Sequence, residues 1–468
     1  MKSIIQKFFL PLLFISCLTP LFGQEYRTGA ILDPVSYERT DSKPALLTRN
    51  YTNIPRSASL KQYSPIPESQ GNHGTCVGWA VGFAARTISE SLAMGRTNRE
   101  QTSNNVFSPI YVYKNITTND PDGQNGAVIS NALDFIKNNG AVKRLPTEKN
   151  MTFQSIVISM FNNFKLFPIS GYVKLFSNPR GAPGTIENRV LPVKKSIAEG
   201  KPVVIGMNTP YSFNGAKNIW RPTESPDKSY GGHAMCVVGY DDGKFGGAFE
   251  IQNSWGAKWG DGGYIWITYG DFASFVNESY EMIENLAIYK DATRFAASIK
   301  IEVFRDNKGM PVIFNNHGFY KTSGAHTAGT DFRFMMTNRH PAYVYAFSAD
   351  TVTPGAQRIF PQRGVSPVLD YNDSTIAWPG ERDWIRLDDV SGTDYLVVLY
   401  SKESLDIAAI ENRFASEKGS FPERVAKAVG SKLIPYSQVK YDPNKMDFSA
   451  VSHNPKAVFA LLLAIDHK

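Results

Sequence analysis

The sequence predicts an α+β chain: a helical lobe, then a β-sheet lobe, then a β-rich, sandwich-like C-terminal domain. Three observations carry that prediction. From Thr75 onward, Val77, Ala80, Val81, Ala84, Ala85, Ile88 and Leu92 recur at helical spacing and make one broad apolar face. From Pro202 to Ile288 strand-like runs dominate, beginning with Pro202-Val-Val-Ile-Gly206. Beyond Ile288, residues 297–304 and 343–347 alternate and Asp394-Tyr-Leu-Val-Val-Leu-Tyr400 is a buried-strand run, with turn-rich segments between them. At 468 residues and 42% hydrophobic content, the chain can fill more than one core.

The elements follow in order. Residues 1–23 read as a secretory signal peptide: Lys2 and Lys7 lead an apolar stretch from Phe8 to Leu13, and Phe-Gly-Gln offers a cleavage point after Gly23. Phe14-Ile-Ser-Cys17 departs from a bacterial lipobox, so a secreted or periplasmic location ranks ahead of lipid anchoring at Cys17. Residues 24–60 form a polar N-terminal extension. Residues 61–150 are mostly helical, with Thr75 as N-cap and Gly95 as stop of the first helix. Ser108-Pro-Ile-Tyr-Val-Tyr113 opens another helix, and the run 131–140 ends one at Gly140. Residues 150–190 read as an insertion, and 189–200 as a helix. In the C-terminal part, helices are expected over 404–415 and 422–429. No later segment is long and apolar enough to span a bilayer. The net charge of +7 is spread without a basic run, which gives no argument for a nucleic-acid partner.

The chemistry is concentrated in Gln70-Gly-Asn-His-Gly-Thr-Cys76. Cys76 lies in the first turn of the expected helix, where the positive end of the helix dipole favours thiolate, the nucleophilic form. Two later segments accompany it: Gly231-Gly-His-Ala-Met-Cys-Val-Val-Gly-Tyr-Asp-Asp242 and Ile251-Gln-Asn-Ser-Trp-Gly-Ala-Lys-Trp-Gly-Asp-Gly-Gly-Tyr264.

In identity, order and spacing, the three segments resemble the papain-like cysteine peptidases over roughly residues 61–290. The resemblance implies a two-lobed peptidase domain with a cleft at the lobe junction, and an acyl-enzyme mechanism. It carries Cys76 to the nucleophile, His233 to the general base and acid, Asn253 to the residue orienting the imidazole, and Gln70 to the oxyanion donor. Trp255 matches the indole that shields the His–Asn bond. Gly123 and Gly126 fall where family members run backbone beside substrate, and Ala234 falls on the pocket wall. No cofactor or metal is implied, and the partner is a peptide or protein substrate. Two positions depart from the family: His73 stands where a disulfide cysteine is usual, and Val77 where Trp is common. His73 is a rival base by its closeness to Cys76. Cys236 is three positions from His233 on an expected strand, so it faces away from the imidazole as a buried, inert thiol. Without the signal only Cys76 and Cys236 remain, so the mature chain is expected to have no disulfide, as befits a bacterial envelope or secreted enzyme.

Residues 300–468 form the accessory domain. Its strand pattern resembles a domain found on bacterial secreted enzymes and kinases, and its histidines (His317, His326, His340, His453) have no metal-ligand spacing. Two other readings stand beside a peptidase: an inactive papain-fold binding protein, and an amidase or acyltransferase using the same residues. Peptide specificity and oligomeric state are not legible.

Overall fold

The apolar stripe that begins at Thr75 forms one helical run over residues 76–93, wound as a π-helix across Trp79–Arg86. All of Trp79–Arg86 is buried, so the helix is enclosed on every side rather than on the one face its periodicity suggests. Gly95, at φ 63°, ends it where an L side chain would be strained. Thr75 stands at the N-cap position, but its hydroxyl makes no capping bond and is buried without a partner. The first turn is therefore held by backbone and packing, not by the expected cap. The computed structural model describes residues 26–44, 54–177, 185–288, 292–306, 309–315, 318–351, 355–370, 374–380 and 382–468. The signal peptide over 1–23, Cys17 and His317 lie outside the described residues.

The helical lobe adds Pro109–Ile116, capped by Ser108 Oγ accepting from Tyr111 N–H, and Ile129–Asn138. The neighbouring lobe is an eight-stranded sheet with Gly232–Asp241 near its centre. That strand pairs antiparallel with Val203–Asn208 on one side and Ala248–Gln252 on the other. Cys76, Val77 and Val81 share one core with Ala234, Met235 and Val237, which fixes the long helix against the central strand. The helix expected over 189–200 runs from Thr185 to Ala198. Part of the expected insertion is built into the lobe: Gly171–Lys174 pairs with Val276–Ile283 as an outer strand of the sheet.

The C-terminal part is a sandwich of a seven-stranded and a six-stranded sheet. It starts before residue 300, with the strand Arg294–Val303, whose Phe295, Ala297, Ile299 and Ile301 point into the sandwich core. The strand run at 394–400 is continuous because both its faces are covered. Leu396 and Val398 face the other sheet, while Val397 and Leu399 face the helices Ile407–Ser416 and Phe421–Val429. That second face also takes Val173, Ile283 and Leu286, so the sandwich and the first sheet share an apolar seam. The Tyr343 hydroxyl crosses it to donate to Ser170 O at 2.6 Å.

Candidate active site

Three elements converge on one point. The start of the long helix brings Cys76, the second residue of the central strand Gly232–Asp241 brings His233, and the turn after Ala248–Gln252 brings Asn253. The Cys76 sulfur accepts from the Ala234 N–H at 3.5 Å, which sets it beside the backbone of His233. His233 Nε2 donates to Asn253 Oδ1 at 2.7 Å, and the same oxygen accepts from Ser254 N–H at 2.7 Å. With Nε2 occupied, Nδ1 is the nitrogen left for proton exchange, and it is buried without a hydrogen-bond partner. Trp255 stacks on the imidazole, centroids 4.7 Å apart and planes 24° apart.

Gln70 is held in one orientation. Its Oε1 accepts from Ser254 Oγ at 2.6 Å, which turns Nε2 toward His73 O at 2.7 Å and Arg27 O at 3.2 Å. An amide N–H is thus already offered to a carbonyl oxygen. His73 lies elsewhere: its ring stacks on Phe153 and its Nδ1 bonds to Asp122 O at 2.9 Å. It belongs to the loop that presents Gln70 and has no bond to Asn253. Cys236 lies within the core, opposite Val204 and Gln252, and both described cysteines are free. Val77 is fully buried in the core.

One feature escapes the sequence pattern. Residues 26–32 run through the cleft and cover it. Ala30 N–H donates to Gly232 O at 2.9 Å, Ile31 N–H to Ala127 O at 2.8 Å, and Ala127 N–H to Gly29 O at 2.9 Å. Tyr26 stacks on the outer face of Trp255, and Trp255 Nε1 donates to Arg27 O at 2.9 Å. Leu32 packs close above Gly206 and Gly232. The fit tolerates no added atoms: a Cβ at Gly29 would stand 2.1 Å from Gly74 O, and one at Gly126, itself at φ 75°, would stand 2.5 Å from Gly29 O. Gly126 therefore stands against this segment, with Ala127 and Gly232 as its backbone partners, while the Ala234 N–H is turned to Cys76 Sγ. The only sequence signal for it is Thr28-Gly-Ala30, small residues able to thread a narrow slot.

This cover changes the electrostatics. Cys76 and His233 both have 0% exposure. Burial pushes the Cys76 thiol up to about 12, against the smaller opposing effect of backbone N–H groups including that of Ala234. Burial likewise pushes His233 down to about 4, although the bond to Asn253 works the other way. Burial thus works against the charged form of both groups in the covered cleft, and no hydrogen bond joins Sγ to Nδ1.

The family profile described as papain family cysteine protease matches residues 57–284. An uncharacterized peptidase C1-like protein of Acanthamoeba polyphaga mimivirus is 25% identical over 257 residues, covering 50% of this chain and 76% of that protein. Cathepsin L of Sarcophaga peregrina is 25% identical over 222 residues, 46% of this chain and 59% of its own length. Among solved structures, xylellain, a cysteine protease from Xylella fastidiosa, aligns over 55% of this chain and 96% of its own, at 20% identity and a TM-score of 0.40. Over residues 57–284 this chain belongs to the papain family of cysteine proteases.

Proposed function

We propose that the protein is a cysteine peptidase that cleaves peptide or protein substrates at Cys76 and that residues 26–32 hold it latent. The observation that carries the reading is the convergence of Cys76 Sγ, the His233–Asn253 hydrogen bond and the Gln70 amide on one cleft. Once the covering segment leaves, water and substrate restore a polar surrounding, and the thiol proton passes to His233 Nδ1. The thiolate attacks the scissile carbonyl carbon, and its oxygen takes the negative charge facing Gln70 Nε2–H and the Cys76 N–H. His233 then gives its proton to the leaving amine, and the C–N bond breaks to leave an acyl-enzyme. Water, deprotonated by His233 Nδ1, releases the acid and returns the thiol. Asn253 acts by orienting the imidazole and Trp255 by shielding it.

The remaining roles follow from the same reading. Residues 61–290 make up the peptidase domain and the sandwich an accessory one, and a signal over 1–23 delivers the chain to a bacterial envelope or beyond. The Gln70 position offers a direct test. With the cleft opened by Gly29→Val, the further change Gln70→Ala is expected to slow turnover of a peptide substrate by roughly 10²–10³ with little change in KM, because the donor acts on the transition state. Unchanged turnover removes Gln70 from the mechanism. If Gly29→Val shows rapid Cys76 alkylation but cleaves no peptide in a library, transfer to or from a non-peptide amide takes precedence.

A further inference from the structure

The covering segment does not end at the cleft. After Leu32 it forms a short helix, Pro34–Arg39, capped by Asp33 and tied to the peptidase sheet through Asp33 N–H to Glu278 Oε1 at 2.7 Å and Tyr37 OH to Phe176 O at 2.6 Å. Residues 41–43 then enter the junction between the peptidase sheet and the sandwich. On one side Lys174 N–H donates to Asp41 O at 2.9 Å. On the other, Ser42 N–H donates to Gly364 O at 2.8 Å and Ser366 N–H to Ser42 O at 2.9 Å. Ser42 is thus bridged in parallel to Lys174 and to Val365, a strand-like residue inserted between the two units.

Side chains repeat the arrangement. Lys43 Nζ pairs with the buried Glu281 of the peptidase sheet at 2.6 Å, and Lys201 pairs with the buried Asp370 of the sandwich at 2.6 Å. The turn that supplies Gly364, Ser366 and Asp370 is itself anchored in the sandwich by pairing of Val368 and Leu369 with Tyr343 and Ala342. The distal end of the covering segment is therefore built into the seam, not laid on the surface.

We propose that the C-terminal sandwich is a latch for the covering segment: its 364–370 turn clamps residues 41–43 against the peptidase sheet, and the cleft opens more readily when that clamp is released. The proposal rests on the reading that residues 26–32 close the cleft. The coupling is reciprocal, so whatever loosens the sandwich loosens the segment, and an event at the seam reaches the cover over Cys76 through the eight residues 33–40. A sandwich that merely docked beside the peptidase would have no such effect.

The test uses the full-length protein and reads two quantities: the iodoacetamide labelling rate of Cys76 at pH 7, and amide hydrogen exchange at residues 29–31. Ser42→Pro deletes the bond to Gly364, and Asp370→Asn deletes the sandwich's buried charge. Each is expected to raise both quantities roughly tenfold, the effect of losing about one net hydrogen bond or more. Gly29→Val, which collides with Gly74 O, is expected to raise them further by expelling the segment directly. If Ser42→Pro and Asp370→Asn stay at the wild-type rate while Gly29→Val labels fast, the latch is refuted and the occlusion stands. If Gly29→Val also stays at the wild-type rate, the occlusion reading itself falls, and the latch with it. Labelling of Cys236 marks loss of the fold. Should Ser42→Pro show it, Asp370→Asn decides by the same two readings.

Discussion

Two thiols in this protein have the same burial and opposite meanings. Cys76 and Cys236 are both at 0% exposure, and burial pushes both well above the ordinary thiol range. The difference lies in what covers them. Cys236 sits inside the central strand, between Val203–Asn208 and Ala248–Gln252, and reaching it requires breaking the sheet. Cys76 is covered by seven residues of chain joined to the cleft mainly through backbone bonds at Gly232 and Ala127. The cover's bonds to the central strand are confined to Gly232, at the strand's first residue. On the proposed reading, thiol reactivity is set by the covering segment as much as by the groups around the sulfur, and low exposure alone does not mark a cysteine as inert.

Substitutions at His233 probe the contrast most strongly. In the opened Gly29→Val background, His233→Ala is expected to lower peptide turnover by roughly 10⁴, the loss of the proton shuttle, and Asn253→Ala by less, roughly 10–10² through misorientation of the ring. Cys236→Ala in the same background leaves turnover unaltered. Steady-state kinetics on one peptide substrate checks all three, and an Asn253 effect exceeding that of His233 breaks the assignment of roles.

A smaller effect comes from pH. Burial holds His233 at about 4 in the covered protein, below the ordinary imidazole value of 6.5. The unfolded chain therefore takes up the proton first, so the His233 contribution to stability is whole above pH 6.5 and is lost as pH falls toward 4. The loss amounts to roughly 3 kcal/mol across that window. Denaturant midpoints measured from pH 7 to 4 on wild type and His233→Gln are expected to converge as the pH drops. Parallel curves would mean that His233 is not buried in its neutral form.

The peptidase lobes are legible in sequence because their signals are local. Glycines crowd the approach to Cys76, apolar residues recur at helical spacing to Leu92, and the Ser108-Pro cap announces its helix. The sandwich is legible from the same kind of evidence, since Tyr343–Phe347 and Asp394–Tyr400 are strands whose alternate faces meet separate cores. The segment over 26–32 is not legible. It pairs through main chain with Ala127 and Gly232, far away in sequence, and such pairing leaves no periodicity in the side chains. The burial of Cys76 and His233 is hidden for the same reason, because the helix start and the histidine read as an activated pair until the cover is seen. The clamp at Ser42 joins three remote stretches and has only Lys43 and Asp370 as outward signs, two charges among 93 in the chain's Lys, Arg, Asp and Glu.

On the proposed reading, Cys76 becomes an activated nucleophile once its cover is removed. The most direct measurement is the iodoacetamide labelling rate of Cys76 against pH, in wild type and in Gly29→Val, with the modified peptide located by mass spectrometry. In Gly29→Val, rapid labelling is expected near pH 5–6, where an ordinary thiol of pKa about 8.5 is almost wholly protonated, and it should collapse on adding His233→Ala. Wild type should label slowly at every pH in that range, and Cys236 in neither protein. Labelling of Cys76 in Gly29→Val only above pH 8, as for a free thiol, would contradict the account and leave an inactive papain fold as the better description.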